Sequence, residues 1–543
     1  MKKFKLILPL VAAMLFSCDN YLDVNTNPNQ VTYSGLQPKD LLSAAQTNTF
    51  RTQATTMNEL GNVFMNSWAA NVASFTGGFA NEYQLNINNT FYNGIWDGLY
   101  RGVNNFQLIS QYPNPDGVYD YYIAVSKICK AHYMQYIVDL YGDAPYTTAF
   151  LGTANTTPSY NDDQFIYRQL ISELEQARTL IANADPAKVE DIAAVDTMLG
   201  GDMAKWTQFA NTVELRMLLR MSNSTGAVAT YRDSKLATLP QNFVTADVTI
   251  NPGYAGVSPT AAQANPFFNT FAYSGGTATQ NWTFICMSGH AYKFLRNNAA
   301  SNGTDVVPGS GTVYPGIADA RAGRLFRGTL KGVTQGSNLV DVPSSGTPAR
   351  MGYGLLNPYI AQPEPVAFIS DLELMASNNG FVMTLSESAF LQAEAAVRYP
   401  AIFSGASSNF NTGIDASFAR LGVASAATAA ASYRTSISAK PGLGWTASTT
   451  DDLKIKAIMT QKWIALMGVH GVESYIDYTR TGYPVTPLAT TAPAGLRKPY
   501  RLIYASSEYV ANSANVPNVS TADVFTINTT SPFWLQGNPA LGN

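Results

Sequence analysis

Charge is what this sequence has least of. Asp, Glu, Lys and Arg make up 13% of its 543 residues, against roughly 25% in an ordinary globular chain. The surface is therefore dressed mostly by Asn, Thr, Ser, Gln and Tyr rather than by ion pairs. No basic patch and no polyacidic run interrupts it, and the formal charge is only −3, which excludes a nucleic-acid partner. Histidine is scarce as well. His132, His290 and His470 are the only three, and none stands at a metal-ligand spacing. Cysteine is limited to Cys18, Cys129 and Cys286, too few for a zinc knuckle or a disulfide framework. There is no G-x-S-x-G elbow, no phosphate loop and no dinucleotide fingerprint. No metal site and no cofactor is expected. Beyond the N-terminus, no apolar run approaches the 18 residues of a membrane span.

Hydrophobic residues at 46% and aromatics at 12% are ample for a large core. The length suits two to four average domains or one large helical one. At the N-terminus, Lys2, Lys3 and Lys5 precede an apolar run from Leu6 to Phe16 that ends at Ser17 and Cys18. This is the layout of a secretory signal. Leu15 and the small Ser17 before Cys18 resemble a lipoprotein cleavage box, with an ordinary signal peptide and a chance cysteine as the alternative. Acylation of Cys18 would tether the chain through several buried acyl chains, at roughly 0.8 kcal/mol per methylene. Cleavage would remove three lysines and no acid, making the mature chain more acidic.

Helical periodicity fills most of the rest. Apolar positions three or four apart predict helices over 40–68, 91–109, 118–140, 163–184, 202–221, 228–239, 384–398, 408–421 and 452–468. In the third of these, Val118, Tyr122, Val125, Cys129, His132, Tyr136 and Leu140 share one face, and Gly142 and Pro145 end the helix. That face is too broad for a lone surface helix, so partner helices must cover it. Asn161 or Asp162 can cap the helix that follows. Two stretches break the pattern. Residues 69–90 are loop, rich in aromatics and nearly free of charge. Residues 240–372 are dominated by Gly, Pro, Asn, Ser and Thr, with one short helix near 288–298. Loops this long inside a folded protein are normally functional.

Sugar rings have apolar faces that stack on aromatics, and hydroxyls that seek amides and backbone. Peptides can use the same surface. The candidate platform is Trp68, Phe75, Phe79, Asn81 and Tyr83 from the first loop, with Trp282 and Tyr314 from the second. The plainer alternative is that these rings fasten Gly-rich loops to the scaffold. Trp96, Trp206 and Trp463 lie in helical patterns and are core by default. The carboxylate pairs Asp162/Asp163 and Asp451/Asp452 stand at helix starts, and Glu173/Glu175 on a helix face, so nothing singles out a catalytic pair. A surface glycosidase or peptidase remains the alternative to a binding protein.

The segment DLYGDAPYTTAF (139–150) resembles the most recognisable signature of the SusD/RagB family of nutrient-binding outer-membrane lipoproteins. Further similar segments follow in order from CDNYLDVNTNPN at Cys18, through WDGLYRGVNNFQLI, WTQFANTVELRMLLRMS and QKWIALMGVHGVESYIDYTRTGYP, to RLIYASSEYVANSANV near Val516. The resemblance implies a mainly α fold of four tetratricopeptide-like helix pairs against an irregular, ligand-carrying insertion. It implies capture of oligosaccharide or peptide without chemistry, and a role as hinged lid of a SusC-like TonB-dependent transporter. The membrane would be met through the lipid anchor only, on the cell-surface side. Asp319, Arg321 and Arg324 resemble a family Asp-x-Arg element, for which a buried salt bridge anchoring the insertion is the expected role. The expected division is a signal segment at 1–17, an extended tether at 18–38 and scaffold at 39–239. The ligand-binding insertion at 240–372, more scaffold at 373–483 and an irregular C-terminal segment at 484–543 complete it. A periplasmic-type binding fold would need strand–helix alternation, which these long helices do not offer.

Overall fold

A computed structural model describes residues 36–256, 264–296, 306–308, 313–340, 346–360 and 372–536. The signal segment, Cys18 and most of the tether lie outside the described residues. The fold is mainly α. Helices α1 (Pro38–Thr52) and α2 (Asn58–Phe64) are joined by a π-helical turn at Gln53–Met57. They are followed by α3 (Asn93–Ser110), α4 (Asp120–Tyr141), α5 (Asp163–Asn183), α6 (Met203–Arg220) and α7 (Gly226–Leu236). After the insertion come α8 (Leu385–Arg398), α9 (Ala406–Arg420), α10 (Ala426–Ile437), α11 (Asp451–Leu466) and α12 (Gly471–Thr481). Neighbours pack in pairs, among them α4 with α5, α8 with α9, and α11 with α12.

The caps follow from the sequence. Asp162 accepts the Phe165 amide at 2.9 Å, and Asp202 and Thr384 do the same for α6 and α8. Replacing Asp162 with Ala is expected to cost about 1 kcal/mol, read as a lower denaturant midpoint with unchanged slope. The helix expected over 40–68 is interrupted by the π turn and stops at Phe64, and Trp68 already belongs to a strand. Phe165, expected to face inward, is exposed in the first turn of α5, where Ile166 and Tyr167 are buried instead. Glu173 and Glu175 are half-buried rather than solvated, paired with Lys130 at 2.6 Å and Lys235 at 2.7 Å.

Helix α4 is the centre of the molecule. The expected apolar face is buried, and so is the rest of its circumference from Ile128 to Tyr141, including Lys130, His132, Gln135 and Asp139. These polar groups are accommodated by a charge network that joins both halves of the scaffold. Arg220 of α6 reaches Asp139 at 3.1 Å, Glu473 at 2.6 Å and Asp477 at 2.9 Å. Arg216 bonds Glu387 at 3.2 Å and donates to the Tyr136 hydroxyl at 2.7 Å. Lys462 pairs with Asp477 at 2.7 Å, and Arg480 grips both oxygens of Glu394 at 2.6 and 2.8 Å. Burial pushes the Glu394 carboxyl up, but Arg480 and Arg398 outweigh it and hold its pKa at about 2. Two of the three histidines belong to this interior. His470 bridges Glu387 and Tyr136, and His132 lies 3.0 Å from Arg216, where burial and that guanidinium keep it neutral. Both remaining cysteines are buried and unpaired.

The region of poor periodicity contains the sheets. Strands β1 (Trp68–Ala70), β3 (Ile285–Met287), β5 (Arg350–Met351) and β4 (Phe326–Arg327) form one antiparallel sheet in that spatial order. Its register pairs Trp68 with Met287, Cys286 with Arg350 and Phe326 with Met351. A second ladder joins β2 (Val248–Ile250) to β6 (Gly380–Met383). The Asp-x-Arg element is a buried clamp. Arg321 holds Asp319 at 2.7 Å and donates to Ser417 of α9 at 2.8 Å and Gln461 of α11 at 3.0 Å. Arg324 donates to the Leu421 carbonyl at 2.8 Å. The C-terminal segment returns to α4. The Leu502 amide donates to the Leu140 carbonyl at 2.7 Å, and the Trp534 indole donates to Asp139 at 3.0 Å.

Candidate functional site

The loop after β1 and the short helix before β3 meet in one partly exposed aromatic cluster. Phe284 is its hub, with Phe75 edge-on at 5.3 Å and Phe79 at 4.8 Å between ring centroids; Tyr83 follows at 6.0 Å from Phe79. Phe75, Phe79 and Phe284 are half-buried, so each keeps part of its ring open to solvent. Asn81 and Asn86 stand exposed beside them, and the Asn86 amide donates to the Asn81 side-chain oxygen at 3.1 Å. Gly78 lies flat against the hub. A Cβ there would fall 2.4 Å from the Phe284 ring, so no other residue permits this approach.

The cluster is held from several sides. Asn71 donates to the Thr283 carbonyl at 2.7 Å, and its own amide donates to the Phe284 carbonyl at 2.7 Å. The Ala70 amide donates to the Tyr83 hydroxyl at 3.0 Å. Below, Tyr92 donates to Glu59 of α2 at 2.9 Å, and burial raises the pKa of both Glu59 and Glu82 beside it. Phe79, Leu85 and Tyr92 all adopt left-handed backbone, at φ of 54°, 54° and 50°. Non-glycine residues in that region cost on the order of 1–3 kcal/mol each, persist only where the surroundings over-determine them, and concentrate in ligand clamps. The loop is thus pre-formed, which reduces the entropy lost on binding.

The predicted platform residues separate into groups. Phe75, Phe79, Asn81 and Tyr83 do come together, although Tyr83 is only 8% exposed and supports the cluster from beneath. Trp68, Trp282 and Tyr314 are 1%, 5% and 2% exposed, so in this structure they present no open stacking face. Trp68 sits edge-on to Phe271 at 5.3 Å, its strand covered by β3. Trp282 is covered by the Arg327 guanidinium at 3.9 Å. Tyr314 bonds His290 at 2.9 Å, away from the first loop. Their size and apolar area drew them into the core, the alternative already open for loop aromatics. Phe284 was not foreseen. Trp282 stands two residues away in the same short run, and nothing in the sequence distinguishes the half-exposed ring from the buried one.

The carboxylate pairs have structural partners. Asp162 caps α5, and Asp163 accepts the Phe533 amide at 2.7 Å, with burial and the neighbouring Asp143 raising it to about 7. Asp143, Asp162 and Asp163 bring carboxylate oxygens within 4.8 Å of one another, the one such acidic group among the described residues. Each of the three accepts a backbone amide. Among the described residues no helix is long and apolar enough to cross a membrane.

Two family models match the chain. One, described as SusD-like and starch-binding, associating with the outer membrane, matches residues 28–272. The other, described as SusD and RagB outer membrane lipoprotein, matches residues 349–528. No curated protein matches. Among solved structures, a SusD homologue from Parabacteroides distasonis aligns with a TM-score of 0.67 at 19% identity, over 93% of this chain and 98% of that one. A chitin-binding SusD homologue from Flavobacterium johnsoniae aligns at 0.63 and 22% identity, over 88% and 93%. A SusD homologue from Bacteroides uniformis aligns at 0.60 and 20%, over 91% and 99%.

Proposed function

This chain belongs to the SusD/RagB family, and from that premise we propose that it captures oligosaccharides at the cell surface on the Phe75–Phe79–Phe284 cluster. Anchored through Cys18, it would pass them as a lid to a SusC-like TonB-dependent transporter. The observation that carries the reading is a partly open ring cluster, rimmed by exposed amides and fixed to strand β1 by Asn71. Rings supply apolar faces at low entropic cost, and Asn81 and Asn86 supply donors and acceptors for sugar hydroxyls. The chitin-binding description of the Flavobacterium johnsoniae relative makes chito-oligosaccharides the first ligands to test. No chemical step is part of this reading, and no observation favours a hydrolase.

Calorimetric titration of the mature, lipid-free chain against neutral glycans is the direct test. Phe79→Ala and Phe284→Ala are each expected to weaken binding about tenfold, the effect of losing roughly 1.4 kcal/mol of aromatic contact. Silence across a broad glycan panel, or unchanged affinity in both variants, would remove the assignment. Co-purification of the acylated protein with an outer-membrane barrel tests the transporter partnership.

A further inference from the structure

Two clefts meet at Val485, and none of the residues lining them belongs to the cluster just described. One, of about 250 Å3, is lined by Phe294, Tyr314, Lys440 and Lys456. The other, of about 390 Å3, is lined by Tyr478, Arg497 and Lys498. Four bases face these clefts, and among the described lining residues there is no Asp or Glu. In a chain whose acids outnumber its bases, that segregation is an electrostatic feature of the place.

Lys498 is the most telling of the four. It is 4% exposed, and its ammonium donates to the Thr486 carbonyl at 2.6 Å and lies 4.7 Å from the Tyr478 ring centroid. It makes no ion pair among the described residues. Burial alone pushes its pKa down to about 7. Buried charges in proteins are ordinarily paired, because an uncompensated one loses its hydration without return. The other buried lysines obey this rule, Lys130 with Glu173 and Lys462 with Asp477. Arg497 and Lys440 are exposed at the same clefts. The acid nearest in influence is Asp452, which acts on Lys456 and already accepts the Tyr483 hydroxyl at 3.0 Å.

We propose that this double cleft is a subsite for an acidic sugar, a uronate or a sulfated residue, of a bound oligosaccharide. The anion would complete the coordination of Lys498 and meet Arg497 at the rim. Phe294 and Tyr478, both half-buried, would offer ring surface to the sugar itself. The proposal rests on the oligosaccharide reading above and narrows the class of ligand.

The test is calorimetry on the full mature chain with four probes: an oligogalacturonate, a heparin-derived tetrasaccharide, a chito-oligosaccharide and a short oligoglutamate. Arg497→Ala combined with Lys440→Ala removes two exposed cations without disturbing the core, and Lys498→Met removes the buried one. At least one acidic saccharide is expected to bind more tightly than the neutral one. Its affinity should fall about tenfold both in 0.3 M salt and in the double variant. Neutral-glycan affinity should not change in that variant. The subsite is overturned if acidic saccharides bind no better than neutral ones, or if their binding survives both the double variant and Lys498→Met. Binding of oligoglutamate alone, dependent on Arg497, would overturn the sugar assignment. Acidic saccharides binding through Arg497 while the neutral probe stays silent would support this cleft and count only against the Phe79 cluster.

Discussion

Arg220→Ala is expected to destabilise the protein by on the order of 3–5 kcal/mol, a large share of the ~5–15 kcal/mol that holds a typical domain together. The guanidinium is fully buried and satisfies Asp139 of α4 and Glu473 and Asp477 of α12 at once. Its loss leaves these carboxylates in the interior with fewer partners, Asp139 keeping only its bonds from Tyr167, Trp534 and Gln135. Arg220→Lys should recover little, since one compact ammonium cannot present a planar fork to three acceptors. Adding Glu473→Gln to Arg220→Ala should restore part of the loss by removing one stranded charge. Lys205→Ala is the contrast, because its pair with Asp202 is exposed, and it should stay within about 0.5 kcal/mol. Guanidinium denaturation of the four variants checks the order.

Gly61→Ala should be comparably damaging for a steric reason. A Cβ at Gly61 would lie 1.9 Å from the Gly471 carbonyl carbon and 2.1 Å from the Val472 amide nitrogen. Both are backbone atoms, so no side chain can swing aside, and α2 must part from α12. Asn58 and Asn62 depend on that closeness. Asn58 donates to the Gly468 carbonyl and accepts the Gly471 amide, each at 3.0 Å, and Asn62 accepts the Gly468 amide at 2.9 Å. Separating the helices breaks all three, so the cost should reach or exceed about 3 kcal/mol. Gly94→Ala, where a Cβ meets nothing within 4 Å, should be neutral or stabilise α3 by up to ~1 kcal/mol. Thermal melts of the two variants side by side test the contrast.

Much of the helical scaffold was legible because its signals are local. The stripe on α4, the stop at Gly142 and Pro145 and the acid cap of α5 all follow from short-range rules. Helix α12 was missed because GVESYIDYTRT carries Glu473, Asp477 and Arg480 on its buried side, so hydrophobic periodicity fails where ion pairs replace apolar contacts. Helix α10, rich in Ala, Ser and Thr, shows too little contrast between its faces to be read. The first loop was recognisable by composition, and Phe75, Phe79 and Asn81 do gather there. The fates of Trp68 and Tyr314 were not recognisable, since which loop ring is covered depends on β3 and His290, both more than 200 or 20 positions away in their respective cases.

The return of the final segment to α4 has a consequence for how the polypeptide matures. Asp139 and Leu140, near the first quarter of the chain, receive their last hydrogen bonds from Trp534 and Leu502. During synthesis the amino end emerges first, so the central helix waits for residues added almost at the end. Until then Asp139 and Leu140 lack these two partners. The set of bonds around α4 is therefore complete only once nearly the whole chain has been made.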